Sequence, residues 1–110
     1  KIKMINPNIS TIFYYNSVLD FPQYSVHQRL LDDTSLMLHD RNGKVVSIKC
    51  PSPLNKCDVF DLGNPKTQEL FMEVCLNATR SGYVDGCFLD RAGNFGNIYN
   101  MDDVTAKRYI

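Results

Sequence analysis

The chain has 110 residues, of which 44% are hydrophobic, and its 12 Lys and Arg residues balance its 12 Asp and Glu residues. This length is enough for one domain with a hydrophobic core. Neither sign of charge is clustered, which argues against nucleic acid as a partner, and no apolar run approaches the length that spans a membrane.

The four cysteines favour two disulfides. Cys50 and Cys57 bracket a short Pro-containing stretch, which suits a small disulfide loop. Cys75 lies on a predicted helix and Cys87 on the strand that follows, where adjacent layers can bring the sulfur atoms together. Zinc sites need tighter pairs such as C-x2-C, which are absent, so the sequence implies no metal and no organic cofactor. Disulfides indicate an oxidising compartment, and buried free thiols are the alternative.

Two triplets fit the acceptor pattern for N-glycosylation, Asn8-Ile9-Ser10 and Asn77-Ala78-Thr79. Asn8 and Asn77 are therefore candidate glycosylation sites. Together with the even number of cysteines, they predict a secreted protein or one of the secretory pathway.

The predicted elements begin with the last turn of a helix over residues 1–6, which Pro7 ends. Residues 11–16 are β-branched and aromatic, which is typical of a strand covered on both faces. A short peripheral helix is expected from Ser25, because Gln28 three residues later completes a capping-box pattern. The sequence thus predicts a buried strand over residues 11–16, followed by a short helix at the periphery of the domain.

An inserted β-hairpin is predicted where Asn42-Gly43 separates two alternating runs, residues 36–40 and 44–48. Residues 58–62 then form a further short apolar strand. The strongest predicted helix covers residues 65–80, with Asn64 as its N-cap and Pro65 at its first position.

A second strand of the main sheet is predicted over residues 84–89, followed by a loop over 92–100 and the start of a helix over 102–110. A strand that follows a helix in this way indicates an α/β fold with parallel strands, most simply a partial (β/α)8 TIM barrel with the hairpin inserted. An open doubly wound sheet is the alternative, because both folds share this local pattern. Both ends stop within an element, so residues 1–110 are expected to be one incomplete domain, the central βα units of a larger barrel.

Asp90 is the leading candidate for chemistry, because it closes an apolar strand at the edge where α/β folds bind substrates. Alternation along the strand places Val84, Gly86, Phe88 and Asp90 on one face. In a barrel that face is the interior, and Asp90 at its rim would project into the mouth. The alternative is a structural aspartate that caps loop amides or pairs with Arg91.

Other polar and aromatic residues lie at strand ends. Asp61 closes the preceding strand, although an aspartate there also stabilises the start of a helix. Tyr14 and Asn16 end the first strand, where a ring can stack on a sugar and an amide can hold hydroxyls; core packing is the alternative for Tyr14 and its neighbour Tyr15. Asp85 begins its strand and is expected to be structural.

Four segments together resemble the central part of glycoside-hydrolase-like (β/α)8 barrels, the uncharacterised relatives of endo-polygalactosaminidase-type and amylase-type barrels. The resemblance covers most of the chain in the right order. It is carried by residues 13–16 (FYYN), 38–44 (LHDRNGK), 60–65 (FDLGNP) and 84–90 (VDGCFLD).

This resemblance implies a secreted glycoside hydrolase that acts on a polysaccharide or oligosaccharide through two carboxylates. Asp90 is then one catalytic carboxylate, as nucleophile or base, and Asp61 is the candidate within the chain for the other, with Tyr14, Asn16 and Arg91 as carbohydrate contacts. The chain departs from the family pattern in having Arg91 after Asp90 and no acidic residue at a later strand end. A catalytically inactive structural or carbohydrate-binding glycoprotein on the same fold is the alternative, and the sequence does not predict an oligomeric state.

Overall fold

The elements of the fold follow the predicted chain order. The computed structural model describes residues 2–50 and 52–91, so the predicted loop over 92–100 and the helix start over 102–110 lie outside the described residues. The elements are α1 (Ile2–Ile5), β1 (Ile12–Asn16), α2 (His27–Asp32), a 3-10 turn (Thr34–Leu36), β2 (Ser47–Lys49), β3 (Lys56–Asp58), α3 (Pro65–Arg80) and β4 (Gly86–Asp90).

The predicted parallel pairing is present between β1 and β4. Ile12 pairs with Gly86 at one end of this two-stranded sheet, and Asn16 pairs with Asp90 at the other. Because α3 precedes β4 and packs on the sheet, these elements form a β-α-β arrangement. The fold is therefore mixed α/β, and the strands of the described region do not close into a barrel.

The sheet formed by β1 and β4 has one covered and one open face. Tyr15 is buried in a core cluster with Phe60, Leu70 and Phe71, and the last two of these lie on α3. The opposite face carries Tyr14 and its neighbours, which are exposed. The prediction that β1 is covered on both faces is therefore wrong for the described region.

The helix α3 forms as predicted. The Asn64 side chain accepts a hydrogen bond from the backbone N–H of Lys66 at 3.0 Å, and Pro65 occupies the first helical position, where it has no N–H to satisfy. The helix α2 begins one residue later than the capping pattern predicts, with Val26 rather than Ser25 as its N-cap. No side chain caps it, and Gln28 instead donates a hydrogen bond to Asp32 at 2.9 Å.

The predicted hairpin turn is present at Asn42-Gly43. Gly43 has a φ of +76°, which favours glycine, and the N–H of Asp40 binds the carbonyl of Lys44 at 2.8 Å. The hairpin's arms are shorter than predicted, because the chain forms a 3-10 turn over Thr34–Leu36 before it reaches the single bridge between His39 and Val45.

The strand predicted over residues 58–62 does not join the parallel sheet. Lys56–Asp58 instead pairs antiparallel with β2, and Val59 continues with an antiparallel bridge to Leu19. Parallel strands need a crossover of a dozen or more residues, whereas the Cys50–Cys57 disulfide closes a loop with a sequence separation of only 7. The connection between β2 and β3, residues 50–55, is too short for such a crossover, so these two strands run antiparallel.

Both predicted disulfides are present. Cys50 and Cys57 join β2 to β3 with a Cα–Cα distance of 5.8 Å, and Cys75 and Cys87 join α3 to β4 with a distance of 5.9 Å. The second disulfide ties the strand that ends at Asp90 to the helix behind it.

Candidate functional site

Asp90 lies at the C-terminal end of β4, directly opposite Asn16 of β1. Its main-chain carbonyl accepts hydrogen bonds from the backbone N–H of Ser17 at 3.1 Å and from the Ser17 hydroxyl at 2.7 Å. Its carboxylate oxygen Oδ2 accepts a hydrogen bond from the Tyr14 hydroxyl at 2.6 Å. The backbone and the side chain of Asp90 are therefore held by separate partners, both supplied by β1 and the residue that follows it.

Tyr14 and Phe88 form the aromatic surface beside Asp90. Their ring centroids lie 6.1 Å apart with an interplanar angle of 25°, and each residue is 54% exposed. The hydrogen bond to Asp90 raises the pKa of the Tyr14 hydroxyl, because losing its proton would remove the bond and place a second negative charge beside the carboxylate. Tyr14 is thus not a core residue among the described elements, and its hydroxyl is hydrogen-bonded to Asp90.

Asn16 is buried, and its side-chain oxygen supports the turn that follows β1. The oxygen accepts hydrogen bonds from the backbone N–H groups of Val18 at 3.0 Å and Leu19 at 2.9 Å. The turn therefore uses the side-chain oxygen of Asn16, and the contact of Asn16 with substrate stays a prediction.

Asp61 stabilises the turn before α3. Its carboxylate accepts a hydrogen bond from the backbone N–H of Gly63 at 3.0 Å, and its carbonyl accepts one from the N–H of Asn64 at 3.1 Å. Within residues 2–50 and 52–91, no hydrogen bond or ion pair joins Asp61 to Asp90. The structure therefore does not bring the two predicted catalytic carboxylates into direct contact.

Arg91 follows Asp90 in a left-handed conformation with a φ of +67°, and it is exposed. Residues other than glycine adopt this conformation rarely, and strained backbone of this kind is enriched at functional sites. Its contact with carbohydrate stays a prediction.

Asp85 lies at the opposite end of the same strand region and has the structural role expected of it. Its carboxylate binds the Lys3 ammonium group and accepts a hydrogen bond from the backbone N–H of Thr11 at 2.8 Å. These donors lower the pKa of the Asp85 carboxyl group, the bond from Lys3 most of all. Asp85 thus fastens α1 and the start of β1 to β4.

Sequence reasoning missed a close pair formed by buried Asp20 and partly buried His27. Asp20 is 4% exposed, and its Oδ2 lies 2.5 Å from Nδ1 of His27. Burial raises the pKa of the Asp20 carboxyl group, and the hydrogen bond from His27 offsets part of that rise. Residues 20–26 form turns and irregular backbone rather than a helix or a strand, so no periodic sequence pattern indicates the contact.

The Tyr24 side chain contacts the C-terminal end of β1. The Tyr24 hydroxyl accepts a hydrogen bond from the backbone N–H of Asn16 at 3.0 Å. Its pKa is raised first by burial and then by the negative charges of both Asp20 and Asp90. The two carboxylates therefore act on one phenol at the C-terminal end of β1.

Comparison with known protein families shows which family contains this chain. A family model described as hypothetical glycosyl hydrolase family 15 matches residues 3–109. The chain belongs to this family. The match confirms a glycoside-hydrolase-like family but not the particular barrel relatives that the sequence resembles. A search of the curated proteins found no match.

Two further observations describe this glycosyl hydrolase family member. Its two disulfides are compatible with an extracellular protein. Among the helices that the structure describes, none has the length and apolar character to cross a membrane.

An apolar cavity of about 430 Å³ lies on the other side of the sheet from the Asp90 carboxylate. It is lined by Ser17, Leu62, Gln68, Phe71, Met72, Cys75 and Leu89. Leu89 alternates with Asp90 along β4, so this cavity opens toward α3 rather than toward Tyr14 and Phe88. The family member thus has its acidic, aromatic surface and its apolar cavity on opposite faces.

Proposed function

We propose that the chain is part of a secreted glycoside hydrolase in which Asp90 is a catalytic carboxylate, either the nucleophile or the base. The observation that carries this proposal is the Tyr14–Asp90 hydrogen bond at the C-terminal end of a parallel strand pair, in a chain of a glycosyl hydrolase family. This edge is where α/β folds bind their substrates, and a carboxylate with a fixed donor is oriented for reaction.

The chemistry requires a second carboxyl group. One carboxylate attacks the anomeric carbon or takes a proton from the attacking water, while the other group gives a proton to the leaving glycosidic oxygen. Retaining enzymes hold the two groups roughly 5 Å apart, and inverting enzymes hold them farther apart to admit water. Asp61 is the candidate within the chain, and a carboxyl group on a further strand of the protein is the other.

The substrate is a polysaccharide or oligosaccharide. The exposed rings of Tyr14 and Phe88 offer an apolar surface of the kind that sugar rings stack on. The Asn16 amide nitrogen and the Arg91 guanidinium group supply donors for hydroxyl groups. This set supports carbohydrate binding beside Asp90.

The fold that best accommodates these residues is the central part of a (β/α)8 barrel related to endo-polygalactosaminidase-type and amylase-type barrels. Within the described region, β1 and β4 pair only with each other, and the face that carries Ile12, Tyr14 and Phe88 is open. A two-stranded sheet has two unpaired edges and is marginally stable by itself, so further strands are expected on either side of this pair. Residues 1–110 are then one incomplete domain.

Secretion is supported by the two disulfides and by the two glycosylation triplets, whose asparagines are both exposed. Asn8 lies in the segment between α1 and β1, and Asn77 lies on α3. Expression in a eukaryotic secretory host followed by peptide mass spectrometry should find glycans on both residues, whereas unmodified asparagines in the secreted protein would contradict this part of the proposal.

A catalytically inactive carbohydrate-binding glycoprotein is the second candidate function. The observation that favours it is the local role of Asp61, whose carboxylate binds its own turn and not Asp90. Such a protein would keep the aromatic surface while lacking an arranged pair of carboxyl groups.

The test uses the complete protein and variants of its carboxylates. Asp90→Asn should abolish the release of reducing ends from mixed polysaccharides, with binding retained. Asp32→Asn, on the exposed surface of α2, is the matched control and should retain activity. Full activity of Asp90→Asn would contradict the assignment, and carbohydrate binding without turnover in the wild type would favour the inactive glycoprotein.

A further inference from the structure

The Tyr14 side chain uses its ring and its hydroxyl group for different contacts. The ring packs beside Phe88 and the residue is about half exposed, while the hydroxyl donates to Oδ2 of Asp90 at 2.6 Å. The register of β1 and β4 makes this contact possible, because Tyr14 pairs with Phe88, two positions before Asp90 and on the same face.

The bond restricts the Asp90 carboxylate. With Oδ2 bound to Tyr14, the remaining oxygen Oδ1 accepts no hydrogen bond from residues 2–50 and 52–91. The backbone of Asp90 is already held by Ser17, so the hydroxyl of Tyr14 is the described contact that sets the direction of the side chain.

We propose that Tyr14 is a positioning residue, whose hydroxyl holds Oδ2 of Asp90 so that Oδ1 is the oxygen presented to the sugar. This inference rests on the proposed catalytic function of Asp90. It assigns to Tyr14 a role beyond stacking on the substrate, and it separates the two oxygens of one carboxylate into a held atom and a reacting atom.

The surroundings of the pair support this assignment. The groups that face the Tyr14 hydroxyl are the carboxylate of Asp90, the phenol of Tyr24 and the amide of Asn16, and the pKa of Tyr14 responds to all three. The Asp90 carboxylate is the nearest charged acceptor and has the largest effect. A hydrogen bond to an ionised acceptor is stronger and better directed than one between neutral groups.

The kinetic test is Tyr14→Phe in the complete protein. Phenylalanine keeps the ring and its packing beside Phe88 but removes the donor, so kcat should fall roughly tenfold while KM changes less than about twofold. Tyr83→Phe is the matched control, because Tyr83 is 65% exposed and lies beyond the opposite end of β4, and its kinetics should match the wild type. An unchanged kcat in Tyr14→Phe, or a rise in KM alone, would show that Tyr14 only contacts substrate.

A titration decides the inference without any substrate. In protein labelled with ¹³C at the tyrosine rings, Tyr14 should titrate above the usual tyrosine range, and Asp90→Asn should move its midpoint back toward that range. An identical Tyr14 midpoint in the wild type and Asp90→Asn would overturn the positioning role. If instead the proposed catalytic function of Asp90 is wrong, the Tyr14 midpoint moves as expected but Asp90→Asn keeps full activity.

Discussion

Ser17 binds the main-chain carbonyl of Asp90 with two donors, its own backbone N–H at 3.1 Å and its hydroxyl at 2.7 Å. Ser17 is the first residue after β1, and Asp90 is the last residue of β4. The contact therefore extends the parallel pairing one step beyond the strands and fixes the backbone from which the Asp90 carboxylate projects.

We expect Ser17→Ala to lower the free energy of unfolding by about 1 kcal/mol, since the variant loses one buried hydrogen bond and keeps the backbone contact. Ser25→Ala, at an exposed position before α2, is the control and should change that free energy by less than about 0.5 kcal/mol. Urea denaturation of both variants measures the difference. Equal stabilities would show that the Ser17 hydroxyl contributes nothing at this position.

Tyr15 and Tyr24 should respond in opposite directions to removal of the hydroxyl. Their rings stack with centroids 4.2 Å apart, yet only the Tyr24 hydroxyl has a partner, the N–H of Asn16; the buried Tyr15 hydroxyl has none among the described residues. Tyr15→Phe should therefore leave stability unchanged or raise it by up to about 1 kcal/mol, whereas Tyr24→Phe should lower it by about 1 kcal/mol. Thermal and urea denaturation check the order, and a more stable Tyr24→Phe would refute it.

Asp20 should make the protein less stable as the pH rises through its folded-state pKa. Burial raises that pKa above its usual value, so the folded state binds the proton more tightly than the unfolded state does. The stabilising contribution is complete below the unfolded pKa and is lost above the folded one. Relative to Asp20→Asn, the wild type should lose free energy of unfolding over this range, measured by urea denaturation in a pH series.

Asp40 provides a control of opposite sign. Its carboxylate accepts hydrogen bonds from the backbone N–H groups of Asn42 at 2.8 Å and Lys44 at 3.0 Å, which lower its pKa, the bond from Lys44 most of all. Its contribution is present above the unfolded pKa and is lost as the pH falls through the folded one. Asp40→Asn should therefore weaken the loss of stability on acidification. The same pH trend in both variants would contradict the two assignments together.

The two disulfides should contribute similarly to stability but differently to activity. Replacing Cys75 and Cys87 by alanine, or Cys50 and Cys57, should each lower the free energy of unfolding by roughly 2–3 kcal/mol, since the closed loops have sequence separations of 12 and 7. Only the Cys75–Cys87 disulfide joins α3 to the strand that ends at Asp90, so only its loss should also reduce turnover. Equal turnover in the two double variants would contradict this.

Local patterns predicted several elements well. The Asn64-Pro65 start of α3, the Asn42-Gly43 turn and the aromatic run of β1 each depend on contacts or backbone preferences within a few residues. The pairing of cysteines was also predictable, because short separations limit which sulfur atoms can meet. Asp90 was predicted as a candidate catalytic residue from its position at the end of an apolar strand.

The direction of residues 56–60 could not be read from the same patterns. An apolar strand has the same composition whether its neighbour runs parallel or antiparallel, and only the structure shows that residues 56–58 pair with β2. The capping box predicted from Ser25 and Gln28 is likewise absent, because the Gln28 side chain donates to Asp32 inside the same helix.

The amino-acid sequence by itself determined that Asn16 and Asp90 lie at strand ends, which residues cap α3 and which family the chain belongs to, because these depend on residue type and spacing. The tertiary structure alone decided the partners of those residues: Tyr14 with Asp90, Asp20 with His27, and Ser17 with the Asp90 carbonyl. Each of the contacts to Asp90 joins residues more than 70 positions apart, and the Asp20–His27 contact follows the path of an irregular segment. Only strand register and chain path bring such atoms together, and neither is encoded in a local period.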